Sequence, residues 1–217
     1  MDLTQFSPSS ALITVIVLAL APFVAVMVTS FTKIIVVLSL LRNALGVQQV
    51  PPNVVLNGLA LIFTIYVMYP TGLAMMGELE GREDLAANTD ALLEAVNDAK
   101  EPLRDFLIAN ASERERAFFL DTIRRMTRDE SPQAVGPRDF IVIIPAFTIS
   151  ELTVAFQIGF LIFLPFIVID LVIANILMAM GMMMLSPTVI SLPFKLLLFV
   201  LIEGWAKLGH GLVLSYL

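Results

Sequence analysis

Long apolar runs alternate with one polar stretch along this chain of 217 residues. The first run, residues 11–29, has the roughly 20 apolar residues that a bilayer-spanning helix needs, and the second run, residues 54–76, has them too. The connection between them is predicted to be partly helical and to end at Pro51 and Pro52, because proline lacks an amide donor and clashes with the preceding turn. Residues 1–77 are therefore predicted to form an N-terminal hydrophobic helical hairpin.

The polar stretch, residues 78–139, predicts a small helical insert. Apolar residues recur at three- and four-residue steps between positions 92 and 106, which indicates one buried stripe on a helix. Ser112 followed by Glu115 has the spacing of a capping box, which predicts the start of a second helix. The predicted buried face of that second helix consists of Phe119, Ile123 and Met126.

A third apolar stretch, residues 140–185, is too long for one membrane span. Pro145, Pro165 and Pro187 are the predicted break points, so the stretch is interpreted as either a kinked helix or a hairpin. A last apolar segment, residues 190–217, completes a C-terminal region that begins at residue 140. The pattern thus predicts an all-α, membrane-associated fold built of helical hairpins, with four hydrophobic segments, or five if the long stretch is a hairpin.

The charged residues are concentrated in the insert. Of the 32 charged residues, 24 lie in residues 78–139, whereas the chain as a whole is 58% hydrophobic and only 15% charged, against about 25% charged in soluble proteins. This composition excludes a soluble or disordered chain. A net charge of −6 without a basic patch also excludes nucleic acid as a partner.

The few basic residues outside the insert predict its orientation. Lys33 and Arg42 lie between the first two apolar runs, and the positive-inside rule places them on the cytoplasmic side. The insert is then expected in the periplasm of a bacterium, with membrane lipid around the apolar helices. The first ten residues lack the basic segment of a cleavable signal peptide, so we expect the first run to be retained.

No residue pattern indicates catalysis. The chain contains no cysteine, which excludes disulfides, thiolate zinc sites and a cysteine nucleophile. It also lacks a phosphate-binding P-loop, an H-E-x-x-H zinc motif and a G-x-S-x-G nucleophile motif. We therefore expect neither an enzyme nor a bound metal or cofactor.

Ionisable residues in the apolar segments are the first candidates for function, because each costs at least about 2.5–3.5 kcal/mol on membrane-insertion scales. The acidic and basic candidates are Glu151, Asp170, Lys195 and Glu203, with Lys33 or Arg42 as further basic partners. Because acids and bases are matched, we favour buried ion pairs that hold the helices together. The alternative is a small proton-coupled secondary transporter that uses Glu151 and Asp170.

A run of three methionines, Met182, Met183 and Met184, follows Gly181. Three consecutive side chains point in three directions on a helix, so they cannot form a single packed stripe. One interpretation is a loop or broken helix whose soft side chains meet around an axis and close a hole. The other is core packing in a helix that Gly181 loosens, and the residues alone leave both open.

Small and aromatic residues in the C-terminal region predict packing and membrane contacts. Ala155 and Gly159 have the small-xxx-small spacing that allows two helices to approach closely. Trp205 and Tyr216 fit the pattern of aromatic anchors at the membrane surface.

Three long segments carry the most specific sequence patterns. They are SFTKIIVVLSLLRNALG with PPN (residues 30–53), PAFTISELTVAFQIGF (145–160) and PFIVIDLVIANILMAMGMMMLSPTVISLPFKLLLFVLIEGW (165–205). These segments resemble the FliP/SctR family, the export gate proteins of flagellar and injectisome type III secretion. Flagellar members commonly begin with an additional cleavable segment that is not present here, and together with LSPTVISLPFKLLLFVL this favours the injectisome branch.

The resemblance implies a core subunit of an export apparatus. Such a subunit forms a pentameric ring, a gated conduit for unfolded proteins across the bacterial inner membrane. The implied partners are FliQ/SctS-like and FliR/SctT-like small membrane proteins and FlhB/SctU-like and FlhA/SctV-like export components. In this family the assembled helices lie largely above the bilayer plane, so the apolar segments would describe insertion rather than the final architecture.

The resemblance also assigns roles to individual residues. Met182, Met183 and Met184 match a methionine gasket that seals the closed pore. Glu151, Asp170 and Lys195 match charged positions that pair within and between subunits.

Overall fold

The computed structural model describes residues 8–47, 49–80, 95, 97–127, 135–182 and 184–217. Every regular element with defined bounds in these residues is a helix, which confirms the predicted all-α fold. In chain order the helices are α1 (Pro8–Met27), α2 (Phe31–Leu45), α3 (Asn53–Gly77), α4 (Glu101–Asn110), α5 (Glu113–Met126), α6 (Phe140–Ala179), α7 (Pro187–Leu201) and α8 (Gly204–Leu214).

The N-terminal apolar runs form helices close to the predicted bounds. α1 and α3 coincide with the two predicted spans to within a few residues, and the connection between them contains α2. α2 ends at Gly46, whose φ of 75° is the left-handed conformation that glycine adopts without strain at a helix end. α3 begins directly after Pro52, as the helix-ending prolines predict.

The long apolar stretch forms one helix of 40 residues. The hairpin alternative was therefore wrong, since α6 continues through Pro145 and Pro165. Prolines are tolerated within apolar helices because neighbouring groups satisfy the freed backbone carbonyls. The chain breaks instead after Ala179, and Pro187 lies in the first turn of α7, where its missing amide hydrogen would have no helical partner anyway.

Between two and four membrane-spanning elements are compatible with the described helices. α3 and α6 are each long and apolar enough to cross a bilayer. The second half of α1 with α2, bent by 66°, and α7 with α8, bent by 60°, add one span each if a bent pair counts as one. This range includes the predicted four segments, and the continuity of α6 removes the fifth.

The core of the fold surrounds α2. Its buried face packs against residues of α3, α6 and α8, forming a cluster of Ile34, Val37, Leu38, Leu56, Ala60, Ala155 and Leu212. Because α2 is covered on several sides by apolar helices, any charged residue on its inner face is removed from solvent. That arrangement sets the environment of the candidate site.

The described part of the insert packs on α6. Leu107 of α4 and Ala111 join Ile143 and Phe147 of α6 in a second apolar cluster. The hydroxyl of Ser112 accepts a hydrogen bond from the Glu115 amide at 3.3 Å, the cap that the sequence predicts for α5. Of the predicted stripe between positions 92 and 106, Leu92 and Val96 lie outside the described residues.

The predicted buried face of α5 was wrong at one end. Phe119 packs against the cluster of α4 and α6, but the Met126 side chain is 74% exposed. No residue of α5 is fully buried, because this helix lies on the outside of the molecule and Met126 belongs to its last turn. The helical spacing of apolar residues therefore predicted which face of α5 packs on the protein, but the packed part of that face ends before Met126.

Candidate functional site

The first buried ion pair joins α2 to α6. The Nζ atom of Lys33 lies 3.1 Å from Oε1 of Glu151, and both side chains are almost fully removed from solvent. The hydroxyl of Tyr216 donates a hydrogen bond to the second carboxylate oxygen of Glu151. Lys33 also lies over the Tyr216 ring, 3.5 Å from its centroid. A buried charge is tolerated only when it is paired and hydrogen-bonded in this way.

Helical periodicity explains why Glu151 is buried. Phe147, Glu151, Ala155 and Gly159 follow one another at four-residue steps on α6, so they share one face of the helix. That face packs on α2, the helix that carries Lys33 in its first turn. The carboxylate therefore lies within the most extensive helix–helix contact among the described residues, opposite a cation on the facing helix.

A second ion pair joins α6 to α7. Lys195 Nζ lies 2.6 Å from Oδ2 of Asp170, and Ser191, one turn earlier on α7, donates to Oδ1 of the same carboxylate at 2.5 Å. Lys195 also donates to the carbonyl of Ala44 at 3.3 Å, in the last turn of α2, where the helix dipole favours a cation. This pair is less enclosed than the first, since the Asp170 side chain is 32% exposed.

Two predicted pairing residues, Arg42 and Glu203, have other surroundings. Arg42 donates to Oδ1 of Asn53 at 2.6 Å and to the carbonyl of Pro51 at 3.4 Å, so it braces the connection between α2 and α3. Glu203 is exposed and has a φ of 53° at the bend before α8. Neither residue forms an ion pair with another described residue. Among the described residues, the predicted pairing of Arg42 and Glu203 is therefore not observed.

Met182 and Met184 lie in the turn between α6 and α7, which we call the methionine turn (residues 180–182 and 184–186). Gly181, with a φ of 72°, ends the helical path. The side chains of Met180, Met182 and Met184 are exposed, whereas Met183 lies outside the described residues. Core packing within one subunit therefore does not account for Met182 or Met184.

The small residues on α6 allow it to approach α2. Ala155 is fully buried in the α2 cluster. At Gly159, an added Cβ atom would lie 2.2 Å from Cδ1 and 3.2 Å from Cβ of Leu40 on α2. The small residues Ala155 and Gly159 therefore lie in the same contact between α2 and α6 as the Lys33–Glu151 ion pair.

Sequence reasoning missed the role of Tyr216. It assigned this residue to the membrane surface, whereas the side chain is half-buried against Lys33 and Glu151. A separation of 65 residues between Tyr216 and Glu151 leaves no periodic signal. The only indication in the sequence was the general rule that a buried carboxylate requires donors for both oxygens.

The arrangement can hold helices together, but it offers no group poised for chemistry. Both buried lysines have a carboxylate partner, and both carboxylates also accept a hydroxyl. Within the described ranges, no three histidine, cysteine or acidic residues come together in a way that could hold a metal ion. The site is therefore a structural core joined to an exposed, apolar turn.

Comparison with known proteins decides the family. The sequence profile of the FliP family matches residues 13–212. The chain belongs to the FliP family. FliP-family proteins are components of type III secretion export machinery and not enzymes, so this chain is a membrane protein that works in a complex with other secretion components.

Individual FliP-family relatives agree over nearly the full chain. The chain is 52% identical over 199 residues to "Yop proteins translocation protein R" of Yersinia pestis, covering 92% of both chains. It is 47% identical over 210 residues to "Hypersensitivity response secretion protein HrcR" of Ralstonia nicotianae, covering 96% of this chain and 97% of the relative.

A flagellar relative is less similar. The "Flagellar biosynthetic protein FliP" of Bacillus subtilis is 42% identical over 202 residues, covering 92% of this chain and 88% of the relative. The two secretion relatives are therefore nearer than this flagellar one, in agreement with the expected injectisome branch. The transporter alternative receives no support from these comparisons.

Proposed function

We propose that this chain is one subunit of a pentameric ring that conducts unfolded proteins across the bacterial inner membrane, and that Met182, Met183 and Met184 form the seal of the closed ring. The observation that carries the proposal is the methionine turn. It separates the apolar helices α6 and α7, and its Met182 and Met184 side chains are exposed. Broken backbone at membrane depth is tolerated where it lines a cavity.

Methionine has the properties that a reversible seal requires. Its unbranched side chain is flexible and polarizable, so several copies can fill an irregular gap. An apolar constriction excludes ions because water leaves a narrow apolar hole. Such a seal opens when a polypeptide pushes the side chains aside, without breaking strong bonds.

The two ion pairs position the methionine turn in this proposal. Asp170 lies nine residues before the end of α6, roughly 14 Å along the helix at about 1.5 Å per residue. Its ion pair with Lys195 joins α6 to α7 at this distance from the methionine turn. The Lys33–Glu151 pair then fixes α6 against α2, so the turn is held by a rigid framework rather than by its own contacts.

The proposed placement in the membrane divides the chain into three parts. Residues 1–77 and 140–217 supply the apolar helices, and residues 78–139 form the insert on the periplasmic side, opposite Lys33 and Arg42. The outer faces of α3, α6 and α7 expose large apolar side chains that lipid or other subunits would cover, among them Tyr66, Phe160 and Leu197.

The proposed partners follow from the family. They are FliQ/SctS-like and FliR/SctT-like small membrane proteins, FlhB/SctU-like and FlhA/SctV-like export components, and the exported chains themselves. The paired charges serve packing within and between subunits.

Native mass spectrometry of the protein co-expressed with its two small membrane partners tests the assembly. The expected result is a closed ring of five copies with the FliQ/SctS-like and FliR/SctT-like proteins bound, extracted in mild detergent. A monomer or dimer in the presence of both partners would contradict the proposal, because the methionine turns of one or two subunits cannot surround a pore.

A further inference from the structure

Tyr216 contacts three side chains where the insert meets the apolar helices, and its hydroxyl also lies 3.4 Å from the carbonyl oxygen of Ser30. The Tyr216 hydroxyl donates to Glu151. The Lys33 Nζ atom lies 3.5 Å from the centroid of the Tyr216 ring, and the same ring contacts Phe106 of α4. The Phe106 and Tyr216 rings are stacked, with centroids 6.0 Å apart and planes inclined by 19°. One side chain thus touches both members of the buried pair and a helix of the insert.

The hydroxyl completes the environment of the Glu151 carboxylate. Lys33 binds Oε1, so Oε2 depends on Tyr216 for its hydrogen bond. A buried carboxylate oxygen without a donor is costly, and a hydrogen bond to a charged group is among the stronger ones in proteins. The ring face adds a favourable contact for the ammonium on the other side of the pair.

A second contact joins the insert to the same turn of α6. The backbone amide of Ser112, which caps α5, donates to the hydroxyl of Ser150 at 2.9 Å. Ser150 is adjacent to Glu151 and donates in turn to the carbonyl of Ala146 at 2.8 Å. The insert therefore reaches the ion pair through Phe106 and Tyr216, and reaches the neighbouring residue through Ser112.

We infer that Tyr216 is the positioning residue of the Lys33–Glu151 pair and that the insert acts on this pair through the stack of Phe106 on Tyr216. A displacement of α4 moves the Tyr216 ring, and the ring carries with it the hydroxyl that binds Glu151. The position of the insert is in this way coupled to the contact of α2 with α6. This coupling depends on contacts of the Lys33–Glu151 pair and not on whether the proposed pentameric assembly conducts proteins.

The hydroxyl is tested by substituting Tyr216→Phe in the full-length protein, purified in its native assembly in mild detergent. This variant keeps both ring contacts, so a residue that only fills space would tolerate it. We expect the unfolding equilibrium constant in a denaturing-detergent titration to rise roughly tenfold, as for loss of a hydrogen bond to a charge. The matched control is Tyr69→Phe, because Tyr69 is exposed on α3; it should change the constant less than about twofold.

The link to the pair is tested by repeating Tyr216→Phe in a background without the pair. In the Lys33→Met/Glu151→Leu variant the hydroxyl has no carboxylate to bind, so the effect of Tyr216→Phe should fall below about twofold. An equal, roughly tenfold effect in both backgrounds would overturn the inference. If the background does not assemble, the infrared carboxylate band of Glu151, assigned with Glu151→Gln, should shift in Tyr216→Phe, and an unshifted band overturns it.

The link to the insert is tested by substituting Phe106→Leu. This change removes the aromatic stack but leaves an apolar side chain in α4. We expect its effect on the unfolding constant to be strongly non-additive with Tyr216→Leu, because each variant alone already breaks the same connection. Additive effects would show that α4 and Tyr216 stabilise the protein independently and would overturn this part.

Discussion

Replacing Glu151 by leucine is expected to destabilise the protein by about 3–5 kcal/mol, because it leaves the Lys33 ammonium buried without its counter-ion. Lys33 is 2% exposed, and α2 is covered by α3 and α6, so the cation cannot reach water by a small movement. The Tyr216 hydroxyl also loses the carboxylate oxygen to which it donates. The measurement is denaturing-detergent unfolding of the purified protein, with the amount of folded protein in membranes as a second readout.

The rescue variant separates charge from packing. Substituting both members, Lys33→Met/Glu151→Leu, removes the unpaired charge and should recover most of the lost stability, since apolar replacements of a buried pair are often neutral. The matched control is Asp121→Asn, which breaks the exposed pair with Arg125 on α5 and should cost less than about 1 kcal/mol. Equal losses for Glu151→Leu and Asp121→Asn would show that burial of the pair does not matter.

The second large effect is expected at Gly159, where α6 lies close against Leu40 of α2. Even a Cβ atom there would lie 2.2 Å from Leu40 Cδ1, and the side chain of leucine adds three further carbons. Overpacking of this kind typically costs 1–3 kcal/mol, or more where a helix must move. Gly159→Leu should therefore lower the stability of the protein and reduce the yield of assembled complex, measured by size-exclusion chromatography in detergent.

Gly58 provides the control for that substitution. It also lies in an apolar helix, α3, but a Cβ atom added there meets nothing within 4 Å. Gly58→Ala should be neutral or stabilise the helix by about 0.5–1 kcal/mol, the propensity difference between the two residues. If Gly159→Leu were tolerated as well as Gly58→Ala, the close approach of α2 and α6 would be wrong.

The elements that could be predicted from the sequence are those with local causes. Span-length apolar runs located α1 and α3, and a serine with a glutamate three residues on located the start of α5. The chemistry of Lys33, Glu151, Asp170 and Lys195 was also accessible, because a charge in an apolar helix needs a partner whatever the fold. Their pairing, α2 with α6 and α6 with α7, had to come from the structure.

The features that could not be predicted depend on tertiary contacts. Proline in an isolated helix is a break, yet Pro145 and Pro165 lie inside α6, because the neighbouring helices hold the chain on its path. Tyr216 has no sequence relation to Glu151 and meets it only when α8 returns to α2. Arg42 was expected to pair with an acid, but its side-chain partner is the amide of Asn53, the first residue of α3.

In the proposed assembly, the methionine turns of several copies seal a pore. The most direct measurement is the ion conductance of the closed, purified complex in a planar lipid bilayer, with Met182, Met183 and Met184 replaced together by alanine. Met75→Ala/Met76→Ala, a change of the same chemistry on α3, is the control. We expect a steady leak of small ions in the first variant and none in the control, because alanine is too short to close the gap. An unchanged conductance in the triple variant would show that these methionines do not form the seal.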